Sequence, residues 1–151
     1  MSSKKVYEDW YKLDHIYPEG IEKAVFGSPE LYFDKIKEAK LIANPGCFPT
    51  SAILGLAPLL KANLIEPDRI IVDSKTGVTG AGIKAKTVNL YSNVNDNFKA
   101  YGLKYHRHTI EIQGILDDVS GKETLIQFTP HLLPVDRGIL TTMYVRPKES
   151  M

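Results

Sequence analysis

The segment that decides the fold of this chain reads LIANPGCFPTSAILGLAPLLK and covers residues 41–61. Residues 41–43 predict a short strand, which the Asn-Pro-Gly turn at residues 44–46 ends. A helix is predicted over residues 50–63, and Pro58 is expected to kink it. Its apolar residues recur at helical spacing: Ile53, Leu56, Ala57, Leu60 and Leu64.

The remaining segments predict a mixture of helices and strands. Ser28 followed by Pro29 is typical of a helix start, and that helix is expected to run to about Lys37. Four apolar side chains share one face of a second predicted helix over residues 109–118 or just beyond it: Ile112, Ile115, Leu116 and Val119. β-branched and aromatic residues predict strands at 69–74, 125–129 and 139–145. Three helices among about five strands predict an α+β fold rather than strict βαβ alternation.

The composition excludes several classes of protein. The chain has 151 residues, enough for one domain with a core, and 43% of them are hydrophobic. Nineteen Lys and Arg against eighteen Asp and Glu leave a net charge of +1, so we expect no nucleic-acid partner. No apolar run approaches the ~18 residues of a membrane span, and the N-terminus has no signal-peptide pattern. We therefore expect a cytoplasmic protein without a membrane partner.

Cys47 is the only cysteine, which excludes an internal disulfide and any multi-cysteine metal cluster. It lies between a predicted strand and a predicted helix. A helix N-terminus favours thiolate over thiol, and its free amides can hold an oxyanion. The alternative is a buried structural cysteine, because free cysteines are among the most buried residue types.

Two of the four histidines flank an arginine, at His106, Arg107 and His108. A nucleophilic thiol needs a base within hydrogen-bond reach, and either histidine could supply it. Arg107 offers a planar fork for a carboxylate or phosphate. Two alternatives remain open: a metal site completed by His131 or Glu111, and a solvated polar helix entry.

The glycine loop, residues 77–82, reads GVTGAG and follows the predicted strand at 69–74. Such a loop can present backbone amides to an anion. Its spacing fits neither a Walker loop nor the dinucleotide fingerprint. The alternative is a flexible turn.

Five motifs in this order resemble the N-acetyl-gamma-glutamyl-phosphate reductase family, from about Val6 to Pro147. They are NPGCFPT (44–50), GVTGAG (77–82), HRHTIEI (106–112), FTPHLLP (128–134) and RGIL (137–140). The resemblance implies an NADPH-dependent enzyme of arginine biosynthesis. It also implies a mixed sheet with helices, similar to the catalytic domain of glyceraldehyde-3-phosphate dehydrogenase.

The resemblance implies a role for each matching residue. Cys47 would attack the acyl phosphate, and hydride transfer to the thioester would give N-acetylglutamate semialdehyde. His106 matches the family's acid/base position. The expected substrate-binding residues are Tyr101, Arg107, His108 and Arg137, and those expected beside the nicotinamide are Gly77, Thr79, Gly80 and Gly82. Phe48 and Ile110 stand where the family usually has Tyr and Pro, and neither departure removes a chemical group that the reaction needs.

The family also carries an N-terminal nucleotide-binding domain, and nothing before Cys47 resembles its glycine-rich start. We therefore expect residues 6–147 to be a catalytic and dimerisation domain alone, from a homo-oligomer that takes a small acyl-phosphate substrate. Two alternative functions remain. One is a related reductase for a carrier-linked acyl phosphate of a lysine pathway. The other is a non-catalytic dimerisation module with a redox-sensitive thiol.

Overall fold

The computed structural model describes residues 3–148, which form six α-helices and six strands within that range. The helices are α1 (Lys4–Tyr11), α2 (Pro18–Lys23), α3 (Pro29–Glu38), α4 (Cys47–Lys61), α5 (Tyr91–Val94) and α6 (His108–Ser120). The strands are β1 (Val25–Phe26), β2 (Ile42–Ala43), β3 (Ile70–Thr76), β4 (Lys99–Ala100), β5 (Ile126–Leu132) and β6 (Ile139–Tyr144). No helix among these residues is long and apolar enough to cross a membrane.

The main sheet has four strands in the order β4-β5-β3-β6. The central pair, β3 and β5, is parallel, while β6 and β4 pair antiparallel at the two edges. This mixed sheet confirms the predicted α+β class. Each predicted strand is present in the structure. Strand β3 ends two residues later than predicted and β5 three residues later, because pairing between the two strands continues past the β-branched runs.

The hydrophobic core lies between one face of this sheet and the helices α4 and α6. Alternate residues of β3 and β5 are buried on this inner face, as a strand with one covered face requires. The helical spacing predicted for α4 is confirmed at four positions, while Leu64 lies beyond the helix and is exposed. The core side chains include Ala52, Ile53, Leu56, Ala57, Leu60, Val72, Ile112, Leu116 and Phe128.

Helix α4 differs from its predicted bounds in a way that matters for Cys47. It begins at Cys47 rather than at residue 50, so the cysteine is its first residue. Pro49 is tolerated there because the first turn's amides have no intrahelical acceptor. The helix also continues through Pro58 to Lys61 without a break.

Strands β1 and β2 form a separate two-stranded parallel sheet, joined through α3. The sequence predicted β2 and α3 but not β1, because a two-residue strand is defined by its partner rather than by its own pattern. Helix α3 has a non-helical residue at Tyr32, and the Ser28 side chain donates to Glu30 instead of capping the helix.

Candidate active site

Helices α4 and α6 bring their N-termini together at one end of the main sheet. Cys47 is the first residue of α4 and His108 is the first residue of α6. The Ser51 hydroxyl, one turn into α4, is hydrogen-bonded to the hydroxyl of Thr141, which is hydrogen-bonded to that of Ser74. The first turn of α4 therefore lies towards the carboxyl end of β3.

Cys47 is exposed, so the alternative of a buried structural cysteine was wrong. Its neighbour Phe48 is 3% exposed and anchors the first turn of α4 to the core. Among the residues that the structure describes, neither the Cys47 nor the Phe48 backbone amide donates a hydrogen bond to a protein acceptor. The thiol is thus accompanied by two free N–H groups at the positive end of a fifteen-residue helix.

Position 46 requires glycine because the His108 ring packs closely against its Cα. A Cβ atom on this residue would lie 2.5 Å from Nε2 of His108, so any other side chain would displace the imidazole. The Gly46 carbonyl accepts hydrogen bonds from the Thr50 amide and hydroxyl, at 3.0 and 2.9 Å. Its own amide donates to Oε1 of Glu111 at 2.9 Å. The residue before the thiol is therefore contacted from both helices.

The cysteine–histidine cluster consists of Cys47, Tyr101, His106 and His108. The two imidazole rings lie 4.8 Å apart, and both pack edge-to-face against Phe48. Nδ1 of His106 accepts a hydrogen bond from the His108 backbone amide at 3.2 Å. Because an amide can only donate, the neutral His106 ring carries its proton on Nε2. Nδ1 of His108 is buried and has no hydrogen-bond partner among the described residues.

Burial is the largest cause of the pKa shifts in this cluster. Desolvation, assisted by the neighbouring Arg107 cation, lowers the pKa of His106 to about 4. Desolvation also lowers the pKa of His108 to about 4, with smaller contributions from His106 and Arg107. Desolvation and the nearby Cys47 raise the pKa of Tyr101 to about 12. Near neutral pH both imidazoles are therefore neutral, and the Tyr101 phenol keeps its proton.

Two further residues, Tyr11 and Glu111, contact the residues around the cluster. Neither was predicted to be part of an active site of this kind. Tyr11, in α1, lies under Arg107, with the guanidinium carbon 5.6 Å from the ring centroid. Glu111, considered above only as a metal ligand, instead accepts the Gly46 amide. No local pattern points to either contact, because each joins segments that are far apart in the chain.

The glycine loop lies at the same end of the sheet, but its amides are already used. Gly77, Val78 and Thr79 donate to the carbonyls of residues 138, 135 and 136, and Gly80 and Gly82 donate within the loop. A Cβ on Gly77 would lie 2.7 Å from the backbone of residues 136–137, which places Arg137 in the segment that covers the loop. These five amides therefore donate to protein carbonyls rather than to an anion.

The metal alternative fails on geometry. His131 projects from the opposite, outer face of the sheet, where it stacks on Phe98 and lies 3.2 Å from Asp73. It is therefore separated from His106 and His108 by the sheet itself. Among residues 3–148, no group of three or more His, Cys, Asp or Glu side chains is arranged to hold a metal ion.

Comparisons with known proteins find similar chains that share one name. The chain is 52% identical over 149 residues to an N-acetyl-gamma-glutamyl-phosphate reductase from Moorella thermoacetica, which covers 97% of this chain and 43% of the relative. It is 56% identical over 142 residues to the enzyme of the same name from Geotalea daltonii, covering 93% and 41%. The chain thus spans about two fifths of the length of these curated relatives.

The fold is shared with two solved structures. Aspartate semialdehyde dehydrogenase II from Vibrio cholerae matches 86% of this chain and 46% of its own, with a TM-score of 0.62 and 17% identity. An aspartate semialdehyde dehydrogenase with NADP from Candida albicans matches 84% and 41%, with a TM-score of 0.57 and 14% identity. The family described as "Semialdehyde dehydrogenase, dimerisation domain" matches residues 47–151. This match begins at Cys47 and covers more than half of the chain. The chain therefore belongs to the semialdehyde dehydrogenase dimerisation-domain family.

Proposed function

We propose that this chain is the acyl-transfer part of an N-acetyl-gamma-glutamyl-phosphate reductase of arginine biosynthesis, with Cys47 as the nucleophile. The observation that carries the proposal is the position of an exposed thiol at the first residue of α4, beside two half-buried neutral histidines. The relatives that share about half of its residues carry that enzyme's name. A single free thiol also fits the reducing cytoplasm, where we place the protein.

The first chemical step is thioester formation. The Cys47 thiolate attacks the acyl carbon, a C–S bond forms, and the bond from that carbon to the phosphate oxygen breaks. Inorganic phosphate leaves with the electron pair of the broken bond. The amides of Cys47 and Phe48 are the available donors for the oxyanion that develops on the carbonyl oxygen.

The two histidines have different proposed roles. His106 begins neutral with its proton on Nε2, so it serves first as a hydrogen-bond donor to an oxygen that gains negative charge. His108 is also neutral, and its buried Nδ1 has no partner among the described residues, so we propose that this ring contributes to the substrate pocket. Tyr101 and Arg107 are proposed to contact the substrate, and Arg137 its carboxylate or phosphate.

NADPH supplies a hydride to the thioester carbon when it is bound. The glycine loop does not fit its pyrophosphate, because five of the loop's amides donate within the protein rather than outward. We propose that Gly77, Thr79, Gly80 and Gly82 border only the nicotinamide end, and that a separate nucleotide-binding domain holds the rest. Residues 6–147 would then be the catalytic and dimerisation domain of that enzyme.

The outer face of the main sheet is proposed as the surface that binds a second copy. It combines exposed apolar side chains, Ile71, Leu140 and Tyr144, with an adjacent pair of opposite charges, Asp73 and Lys75. A two-fold axis near position 74 would place Asp73 of one copy over Lys75 of the other, which is the self-complementarity that a symmetric dimer requires.

Light scattering during size-exclusion chromatography tests this surface. We expect the unsubstituted chain to have the mass of a dimer and Ile71→Asp to have that of a monomer. Ile83→Asp is the matched control, because Ile83 is fully exposed and belongs to no strand of this sheet, so its substitution should leave the dimer intact. A monomeric unsubstituted chain, or a dimeric Ile71→Asp, would contradict the assignment of the outer face.

The proposed reaction is tested by incubating the chain with N-acetyl-gamma-glutamyl phosphate without nucleotide. We expect one phosphate released per chain, together with an acyl adduct on Cys47 seen by mass spectrometry. Cys47→Ala removes the only thiol and should abolish both signals. Aspartyl phosphate serves as the substrate control. Phosphate release that is equal in Cys47→Ala would overturn the proposal.

A further inference from the structure

Glu111 makes a contact that the reaction as described does not use. Its Oε1 accepts the Gly46 backbone amide at 2.9 Å, across 65 residues of sequence. This bond joins the first turn of α6 to the turn that precedes Cys47. In a capping box, a carboxylate in the first turn returns to the N-cap amide of its own helix. Here the carboxylate of α6 binds the N-cap residue of α4 instead.

Gly46 is consequently fixed at every group that it possesses. Its amide is held by Glu111, its carbonyl by Thr50, and its Cα lies against the ring of His108. The same residue sets the position of Cys47, which follows it directly. Loss of the amide contact would leave Gly46 with only the carbonyl bond and the ring contact.

The charge of Glu111 does not explain its presence at this position. A carboxylate near a thiol disfavours the thiolate, which opposes the reactivity that the cluster requires. Burial raises the pKa of the Glu111 carboxyl, while the Gly46 amide and Arg107 act in the opposite direction. The contact with Gly46 is therefore better explained by geometry than by electrostatic activation.

We propose that Glu111 is a positioning residue, which holds the Gly46 amide so that Cys47 stays in the first turn of α4 against the histidine pair. The inference rests on the proposed role of Cys47 as the nucleophile. It predicts that an acceptor oxygen at position 111 is needed and that a negative charge is not.

The experiment compares Glu111→Gln with Glu111→Ala, using the rate at which iodoacetamide alkylates Cys47 between pH 5 and pH 9. The amide oxygen of Gln can still accept the Gly46 N–H, so we expect its rate at each pH to stay within about twofold of the unsubstituted chain. For Glu111→Ala we expect a fall of about tenfold at pH 7, because misplacing a reacting group by a fraction of an ångström is costly. Because a misplaced group reacts slowly at every pH, the deficit of Glu111→Ala should remain at pH 9.

Three results would overturn the positioning role. They are equal rates in all three proteins, an equal loss in Gln and Ala, and a gain at pH 7 in both variants, which would show that the charge itself matters. Hydrogen exchange of the Gly46 amide gives a second readout: it should stay protected in Glu111→Gln and exchange faster in Glu111→Ala. If Glu111→Ala does not fold, Glu111→Asp withdraws the oxygen while keeping the charge, and its slower labelling at pH 7 is expected on the same grounds. Unchanged labelling in Glu111→Asp would overturn the role equally.

Failure of this inference is distinguishable from failure of the proposed function. If the unsubstituted chain releases no phosphate and labels like a free cysteine, the nucleophile assignment fails before the variants are compared. If the unsubstituted chain reacts as proposed and the Glu111 variants do not separate, only the positioning role is lost.

Discussion

The cysteine–histidine cluster and the glycine loop lie at the same end of the main sheet and differ in how their polar groups are used. In the cluster and at the adjoining Phe48, the amides of Cys47 and Phe48 and the Nδ1 atom of His108 have no protein partner among residues 3–148. In the loop, the amides of Gly77, Val78, Thr79, Gly80 and Gly82 all donate to protein carbonyls. A polar group without a protein partner is available to a ligand or to water, whereas a paired one holds two segments together, so the first region can bind a ligand and the second stabilises the fold.

The strongest way to break this comparison is Gly46→Ala. The new Cβ would lie 2.5 Å from Nε2 of His108, so the ring must move away from the thiol. We expect alkylation of Cys47 at pH 7 to slow by about tenfold, and the free energy of unfolding to fall by ~1–3 kcal/mol from overpacking.

Gly114→Ala is the matched control for that substitution. Gly114 lies within α6, and a Cβ there would have no neighbour within 4 Å. This variant should gain ~0.5–1 kcal/mol, since Ala favours a helix over Gly, and should leave the alkylation rate unchanged. If Gly46→Ala were as stable and as reactive as Gly114→Ala, the close packing of His108 on the turn would be wrong.

The pH dependence of stability sharpens the comparison at the histidines. Burial lowers the pKa of His106 and His108 from 6.5 to about 4. Between these values the unfolded state binds protons that the folded state does not, so stability is complete above pH 6.5 and falls as the pH drops towards 4. Chemical denaturation at pH 7.5, 6 and 5 measures this loss of stability. Because both rings are partly exposed, solvent screening makes the loss smaller than the pKa shifts alone would give.

A double variant, His106→Asn with His108→Asn, isolates the contribution of these rings. Its midpoint of denaturation should change less between pH 7.5 and 5 than that of the unsubstituted chain. His15→Asn is the control for the substitution itself, at a histidine outside the cluster. If the midpoint of the double variant changed as much between pH 7.5 and 5 as that of the unsubstituted chain, the two rings would not be buried neutral groups.

The smallest effect is expected in the glycine loop. The Thr79 hydroxyl donates to the Asp136 carbonyl at 2.6 Å, in addition to the backbone bond between the same residues. Thr79→Val keeps the shape and removes the donor, so we expect a loss of ~0.5–1.5 kcal/mol in the free energy of unfolding. Thr79→Ser keeps the hydroxyl and should lose less. Without nucleotide, alkylation of Cys47 should be nearly unchanged, and slowing as large as that of Gly46→Ala would remove the distinction between the two regions.

Much of the candidate site was predictable because its residues are consecutive. The turn before Cys47 and the paired histidines are short motifs, and the helical spacing of Ile53, Leu56 and Ala57 predicted the helix behind the thiol. The start of α4 was misplaced by three residues, because Pro49 discourages a helix in local terms while tertiary packing of Phe48 permits one. The strands β1 and β4 were missed because each exists only through its partner.

The sequence by itself determined the chemistry available to this protein: one thiol, two histidines beside an arginine, and an α+β arrangement of strands and helices. Local spacing and propensity are sufficient for that, since they act within a few residues. Only the tertiary structure decided which groups remain free. It closed the glycine loop against residues 133–138, turned His131 to the outer face, and brought Glu111 to the Gly46 amide. Hydrogen bonds between distant segments depend on how two helices and a sheet pack, and no local pattern encodes that packing.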